Sequence, residues 1–436
     1  MQPTRSHRVA PFPPCLIPTR RFGVRASAGQ LFRAVTLACL VFSIATRGEE
    51  PGWLSQLPPL VVEGDLSAQM VEGIDRFLMR ETDHAVAERA GFWRRDVTSA
   101  AQYAKSIEAN RERFRKAIGA VDPRLPGTAL EYVSTTDLPA LAAETTNLTI
   151  HVVRWRVFDD VTAEGLLLTP KDRIQARIVA LPDADQTPEM LAGLAPGIQP
   201  ESQFARRLAE QGCQVLVPVL IDRQDTWSGS EELGRFTNQP HREWVYRQAF
   251  ELGRHVIGYE VQKVLAAVDW FAERNGRLDA QARPRIGVAG YGEGGLIAFY
   301  SAALDSRIEA ALVSGYFGPR QRLWEEPIYR NVFRLLAEFG DAEVASMIAP
   351  RALVVEHSEW PKVDGPPAPR AGRNGAAPGR LVTPDRMAVE AEVEPGQGFL
   401  PRHLWLQSGI DLCQRGTDDC PGLNRGSGRA AGGPAG

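Results

Sequence analysis

Hydrophobic and polar positions alternate along this chain in several distinct rhythms. From Ala68 to about Ala120, apolar residues recur every three or four positions (MVEGIDRFLMRETDHAVAERAGFW, then SAAQYAKSIEANRERFRKAIGA), which predicts helices. Pro123 and Pro126 close that block. Ile150–Phe158 (IHVVRWRVF) alternates apolar and polar, as a half-buried strand does, and Ala163–Leu168 reads as its hairpin partner. Short unbroken apolar runs then appear at Ala176–Leu181, Gln214–Ile221, Arg285–Gly290, Ala310–Ser314 and Ala352–Glu356. Between them lie helical patterns at Ser202–Gln211, His241–Glu273, Gly294–Leu304 and Ile328–Phe339, and a further helix is expected within Thr383–Glu394. Buried strands alternating with helices predict an α/β protein, its mostly parallel sheet covered on both faces. The hairpin in front makes the sheet mixed.

The same pattern divides the chain. Residues 1–48 form a leader, 49–146 a Pro-rich segment and helical extension, 147–394 the α/β core, and 395–436 an irregular tail. Pro361–Arg380 holds five prolines and four glycines and is expected to be a loop. After Pro395 the periodicity fails, and Pro421–Gly436 is too rich in Gly, Ala, Arg and Ser to bury a core. That break reads as a truncation or a change of reading frame.

Composition narrows the class. At 436 residues, 44% hydrophobic and 24% charged, the chain is neither disordered nor fibrous. Fifty basic residues against 53 acidic leave a net charge of −3, so no basic excess points to nucleic acid. The charge is uneven, however. Arg5, Arg8, Arg20, Arg21, Arg25 and Arg33 precede the uncharged run Ala34–Ala45 (AVTLACLVFSIA), and no acid does. That run is too short to span a bilayer stably and fits a secretory signal, which predicts a secreted or periplasmic protein. Cleavage near Ala45 removes all six arginines and takes the net charge from −3 to −9. Of the five cysteines, Cys213 reads as a small buried hydrophobe. Cys413 and Cys420 could close a loop, and nothing has metal-ligand spacing, so neither a metal nor a cofactor is expected.

The stretch RIGVAGYGEGGLIAFYSAALD, Arg285–Asp305, runs from strand through a tight Gly-rich turn into helix. Two chemistries use such a turn. In the nucleophile elbow G-x-S-x-G, a strained turn lifts a serine above the sheet, and the next backbone N–H supports an oxyanion. Gly290-Tyr291-Gly292-Glu293-Gly294 fits that frame with Gly292 at the serine position. In the dinucleotide fingerprint G-x-G-x-x-G, matched by Gly290, Gly292 and Gly295, the turn's N–H groups hold a pyrophosphate. A third possibility is a turn that merely lets strand and helix pack closely.

The region from about 150 to 394 resembles the α/β-hydrolase superfamily, in particular its acetyl xylan esterase and dienelactone-hydrolase-like branch. Two stretches carry the resemblance. GYGEGGLIAFYSAALDSRIEAALVSGYF is similar to that branch's elbow, helix and following strand, and FGDAEVASMIAPRALVVE to the approach to the strand before the catalytic acid. The resemblance implies ester hydrolysis on a carbohydrate or small ester, with an acid after that strand and a histidine from a late loop. Here Gly292 replaces the nucleophile. The strand is followed by His357-Ser358-Glu359, with Asp364 further on, so Glu359 or Asp364 is the candidate acid. Only His403 lies in the late region, and His357 at the strand end reads more readily as structural. The implied protein is a hydrolase-fold relative with a degenerate elbow. Its rivals are an active hydrolase with an atypical nucleophile such as Glu293, and a dinucleotide binder. Since ligands sit beyond the carboxyl ends of parallel strands, Asp183, Ala184, Asp222, Arg223, Tyr291, Tyr316 and Glu356 are the candidate pocket residues. Trp227, Trp244 and Trp324 are expected in loops or helix starts above it.

Overall fold

The computed structural model describes residues 63–127, 129–232, 234–398 and 410–414. Two compact units are separable, Met1–Glu72 and Gly73–Gly436. Residues 63–72 are the described part of the first; helix α1 comprises Leu66–Glu88. The leader expected at 1–48 and His403 lie outside the described residues. Among the described residues no helix is long and apolar enough to cross a membrane.

The helical block predicted from Ala68 to Ala120 breaks into α1, α2 (Ala100–Ser106) and α3 (Glu108–Ala117). The break has a local cause: Ser99 takes extended backbone and its hydroxyl accepts the Gln102 N–H, starting a new helix. Four strands follow, β1 (Leu130–Tyr132), β2 (Leu141–Glu144), β3 (Leu148–Phe158) and β4 (Val161–Pro170). The predicted hairpin is β3–β4, antiparallel with Val152 opposite Leu166.

The α/β part comprises β5 (Ala176–Leu181), α4 (Pro188–Ala192), α5 (Phe204–Glu210), β6 (Cys213–Pro218), the small ribbon β7 (Gly229–Ser230) with β8 (Arg235–Phe236), α6 (His241–Phe250), α7 (Val256–Gly276), β9 (Arg285–Tyr291), α8 (Glu293–Leu304), β10 (Ala310–Ser314), α9 (Leu335–Glu338), α10 (Asp341–Ile348), β11 (Ala352–His357), α11 (Arg386–Gly398) and β12 (Ile410–Gln414). The sheet order is β1-β3-β4-β6-β5-β9-β10-β11-β12, with β2 beside β3. Pairing is parallel from β6 through β12 and antiparallel in front. This is the α/β-hydrolase fold: a mostly parallel sheet flanked by helices. Strand order turns at β5, whose neighbours are β6 on one side and β9 on the other. The crevice between the carboxyl ends of β5 and β9 is therefore the topological switch point where such sheets bind ligands.

Three elements differ from the pattern. The apolar rhythm of His241–Glu273 splits into α6 and α7, because Gly253 turns the chain at φ +63° and His255 recaps it, its Nδ1 accepting the Ile257 N–H. The helix expected at Ile328–Phe339 shrinks to a 3-10 turn at Ile328–Arg330 and the four residues of α9. Arg330 is drawn inward to a buried carboxylate there, and Arg334 adopts left-handed backbone. The tail expected to be irregular supplies a strand, β12, which pairs in parallel with β11.

The core has two parts. The larger joins one sheet face to α3, α7, α8, α10 and α11, and Val153, Trp155, Val288, Ile297, Phe299 and Val355 are within it. The smaller packs β3, β4, β5 and β6 against α4 and α5. No residue of β9, β10 or β11 belongs to it, and Leu312 and Val354 on that second face are only half-buried.

Candidate functional site: a filled nucleophile elbow

β9 ends at Tyr291, Gly292 makes the apex, and α8 begins at Glu293. Gly292 has φ +61° and ψ −120°, the conformation that raises a nucleophile on a sharp strand-to-helix turn. In glycine this costs little; in a residue with a Cβ it is strained. The helix sits close against the sheet. A Cβ at Gly294 would lie 2.2 Å from the Leu181 carbonyl oxygen, so this position admits only glycine.

The apex is not empty. A Cβ at residue 292 would meet Asp183 Oδ1 at 2.3 Å and Pro361 Cγ at 2.5 Å. Asp183 Oδ1 also accepts the Glu293 backbone N–H at 2.9 Å, the donor that in a working elbow supports the oxyanion. A carboxylate of the chain itself thus occupies both the nucleophile's space and the oxyanion's donor. Gly292 N–H in turn donates to the Ser314 carbonyl, so two of the N–H groups a pyrophosphate would need are already engaged.

Asp183 is held by Arg223, whose two terminal nitrogens reach its oxygens at 2.6 and 3.0 Å. Arg223 also donates to Asp185 at 2.9 Å, to the Tyr329 hydroxyl at 3.0 Å and to Glu293 at 3.2 Å. Glu293 is completely buried beneath the turn. Arg330 donates to its Oε1 at 2.8 Å and Arg242 approaches its Oε2 at 3.4 Å. Burial alone would raise the Glu293 pKa; Arg330, Arg242 and Arg223 together outweigh it and hold the carboxyl at about 2. Arg242 is itself forked onto Glu260 at 2.9 Å through both oxygens. Glu293 is thus a carboxylate clamped by three guanidiniums and sealed from solvent, unlike the accessible, near-neutral group that general acid–base chemistry uses.

The structure separates the remaining predicted residues into other clusters. Tyr316 is buried, its hydroxyl against that of Tyr300 at 3.0 Å and its ring stacked on Trp360 at 6.2 Å. Ala184 is buried beside Asp183. Glu356 accepts from the Ser314 hydroxyl, which also meets Ser358 Oγ at 2.8 Å. His357 donates through Nε2 to the Pro384 carbonyl at 3.1 Å, a structural contact. The Glu359 side chain is exposed, and its carbonyl accepts the Tyr291 hydroxyl at 2.9 Å. Asp364 is exposed in a strap, residues 358–385, and forms a β-bridge with Arg380. Asp222 binds His241 Nδ1 at 2.6 Å. This pair has the look of a catalytic relay, with the Thr226 hydroxyl 3.2 Å from Nε2. The Trp227 backbone N–H, however, already donates to that Nε2 at 2.8 Å and takes its lone pair.

Residues 190–338, which carry the elbow, Glu293 and its three arginines, match the family model described as Dienelactone hydrolase family. The chain carries a dienelactone hydrolase family domain. The protein YtaP of Bacillus subtilis (strain 168) is 28% identical over 150 residues, which is 32% of this chain and 47% of that protein, so the match spans about half of its relative. Among solved structures, a glucuronoyl esterase from Solibacter usitatus is 14% identical, with a TM-score of 0.45 over 71% of this chain and 82% of that one. Acetyl xylan esterase 1 from Thermoanaerobacterium sp. JW/SL YS485 is 12% identical, with a TM-score of 0.39 over 71% and 86%.

Arg242, Glu260, Arg330, Asp185 and His241 are functional-site neighbours that no local motif in the sequence marks as such. One signal could have exposed the first pair. Glu260 stands on the apolar face of α7, four residues after Val256 and four before Val264, and a charge there demands a buried partner. Beside the filled apex a cavity of about 240 Å³ remains, lined by Asp185, Arg223, Tyr329, Lys362 and Asp364 among others. A second, of about 580 Å³, lies along the half-buried second face and is lined by Tyr291, Leu312, Ser314 and Glu356 together with Phe204 and Arg207. No group of three or more His, Cys, Asp or Glu suited to a metal occurs among the described residues.

Proposed function

We propose that this protein is an exported relative of carbohydrate and small-ester esterases that has lost serine-esterase catalysis and acts by binding. One observation carries the reading: the elbow apex is Gly292, and Asp183 Oδ1 sits 2.9 Å from the Glu293 N–H where a reacting carbonyl oxygen belongs. Without a nucleophile and with its oxyanion donor taken, the turn lacks both parts of acyl transfer. The basic, then apolar, leader supports export. The ligand class the family suggests is a small or carbohydrate ester, and the Asp185–Arg223–Tyr329 cavity is the space left for it above the sheet.

The test is treatment of the full chain with a fluorophosphonate probe alongside a p-nitrophenyl acetate assay. No labelling and no turnover above buffer are expected. Labelling of any serine together with ester turnover would overturn the reading. Export is checked separately by sequencing the N-terminus of the mature protein, where a start near residue 46 is expected.

A further inference from the structure

We propose that Trp227 is a stacking platform for a saccharide ring, a binding site on the loop after β6 that is separate from the elbow and independent of its chemistry. Trp227 is 85% exposed, the most exposed large hydrophobic side chain among the described residues. A single exposed aromatic is unremarkable by itself. What distinguishes this one is how firmly the backbone beneath it is held. Its N–H donates to His241 Nε2 at 2.8 Å, and Asp222 fixes that imidazole through Nδ1 at 2.6 Å. Arg373, from the strap, donates to the carbonyls of Asp225, Thr226 and Thr237. Arg370 forks onto the Asp225 carboxylate at 2.6 and 2.8 Å. Ser228 is fully buried, and its carbonyl accepts the Thr237 N–H at 2.8 Å. Asp222, Asp225, Arg370 and Arg373, with His241, tie down a loop that presents an exposed indole to water.

Such an arrangement suits recognition, because the ordering of the aromatic anchor is complete before any ligand arrives. The surroundings indicate the class of ligand. Phe236, the nearby exposed aromatic, lies under the Arg373 guanidinium at 5.2 Å, so its ring is already engaged. The same loop carries Thr226 and the exposed Glu231 and Glu232. Among the described residues of this loop, the aromatic face stands amid charged and hydroxyl groups and without the apolar centre of a protein interface. It matches a pyranose, whose C–H face packs on an indole while its hydroxyls meet polar neighbours.

Titration calorimetry of the full chain with xylohexaose tests this, followed by cellohexaose and mannohexaose. Saturable binding to at least one is expected. That binding should weaken about tenfold or more in Trp227→Ala and stay within about threefold in Trp227→Tyr, which keeps a ring. Melting temperatures should be unchanged in both, since the ring is exposed. His241→Ala keeps the indole and loosens its support, so intermediate binding is expected. Absence of binding to all three sugars at millimolar concentration overturns the proposal, as does equal binding by Trp227→Ala. Binding of tetramethylammonium in place of sugars, lost in Trp227→Ala, would identify a cation site instead and equally overturn it.

Discussion

At the scale of single residues, the elbow shows one carboxylate standing in for a missing hydroxyl. Asp183 Oδ1 lies where a serine side chain would begin and satisfies the first N–H of α8. Gly292→Ser alone is therefore expected to restore nothing. It forces a Cβ against Asp183 and Pro361 and adds strain at positive φ, costing about 1–3 kcal/mol by overpacking. Chemical denaturation and the acetate assay check both halves: a stable, active Gly292→Ser protein would mean that Asp183 moves aside freely. Glu293→Gln should be worse, by about 3–5 kcal/mol, because it leaves Arg223, Arg242 and Arg330 around an uncharged group. If Glu293→Gln unfolds at the same denaturant midpoint as the parent, the buried network is not what holds the turn.

Among the elements, the strap of residues 358–385 lies against the elbow apex. Pro361 stands over the apex. Trp360 is stacked on Tyr316, with the Arg320 and Arg330 guanidiniums 5.8 and 5.5 Å from its ring. Further along, Asn238 donates to the Pro367 carbonyl at 2.7 Å, and Glu243 accepts the Ala377 N–H at 3.0 Å. The strap is thus tied at its base and its middle. Trp360→Ala should free the base and open it to protease before the sheet unfolds, at a cost of about 3–5 kcal/mol for losing a large buried ring. Limited proteolysis read by mass spectrometry checks this; cleavage confined to other loops would show that the strap is held without Trp360.

For the whole molecule, two buried groups outside the elbow turn itself set opposing pH dependences. His255 is held neutral by burial, its pKa lowered to about 4 from an ordinary value near 6.5. Its contribution is complete above pH 6.5 and is lost as pH falls towards 4. Asp341 is raised by burial to about 7 from near 3.8, so its contribution is complete below about pH 4 and is lost as pH rises towards 7. The two slopes oppose each other across pH 4–6.5, and the parent protein is expected to show a shallow stability profile there. His255→Asn, which can still cap α7, should leave stability falling as pH rises through that window, and Asp341→Asn should leave it rising. Melting temperatures at half-unit pH steps decide this; parallel profiles for the three proteins would refute both assignments.

Much of this molecule was legible in its residues. Short apolar runs such as RIGVAG and ALVVE have too few polar positions to face water, so they had to be buried strands, and GYGEGG can form only a tight turn between strand and helix. The same local logic showed that no serine stands at residue 292. It could not show what fills the space, because Asp183, Pro361 and Gly292 are far apart in the chain and meet only where β5, β9 and the strap converge. Nor could it distinguish Glu293 as a reactive group from Glu293 as a buried anchor. That depended on Arg223, Arg242 and Arg330 arriving from three separate elements, and charge pairing across such distances leaves no periodic mark on the sequence. Local pattern determined the strands, the turn and the absent hydroxyl; the tertiary structure alone decided that the vacancy is occupied by a carboxylate, since occupancy depends on which distant side chains the folded sheet brings to one point.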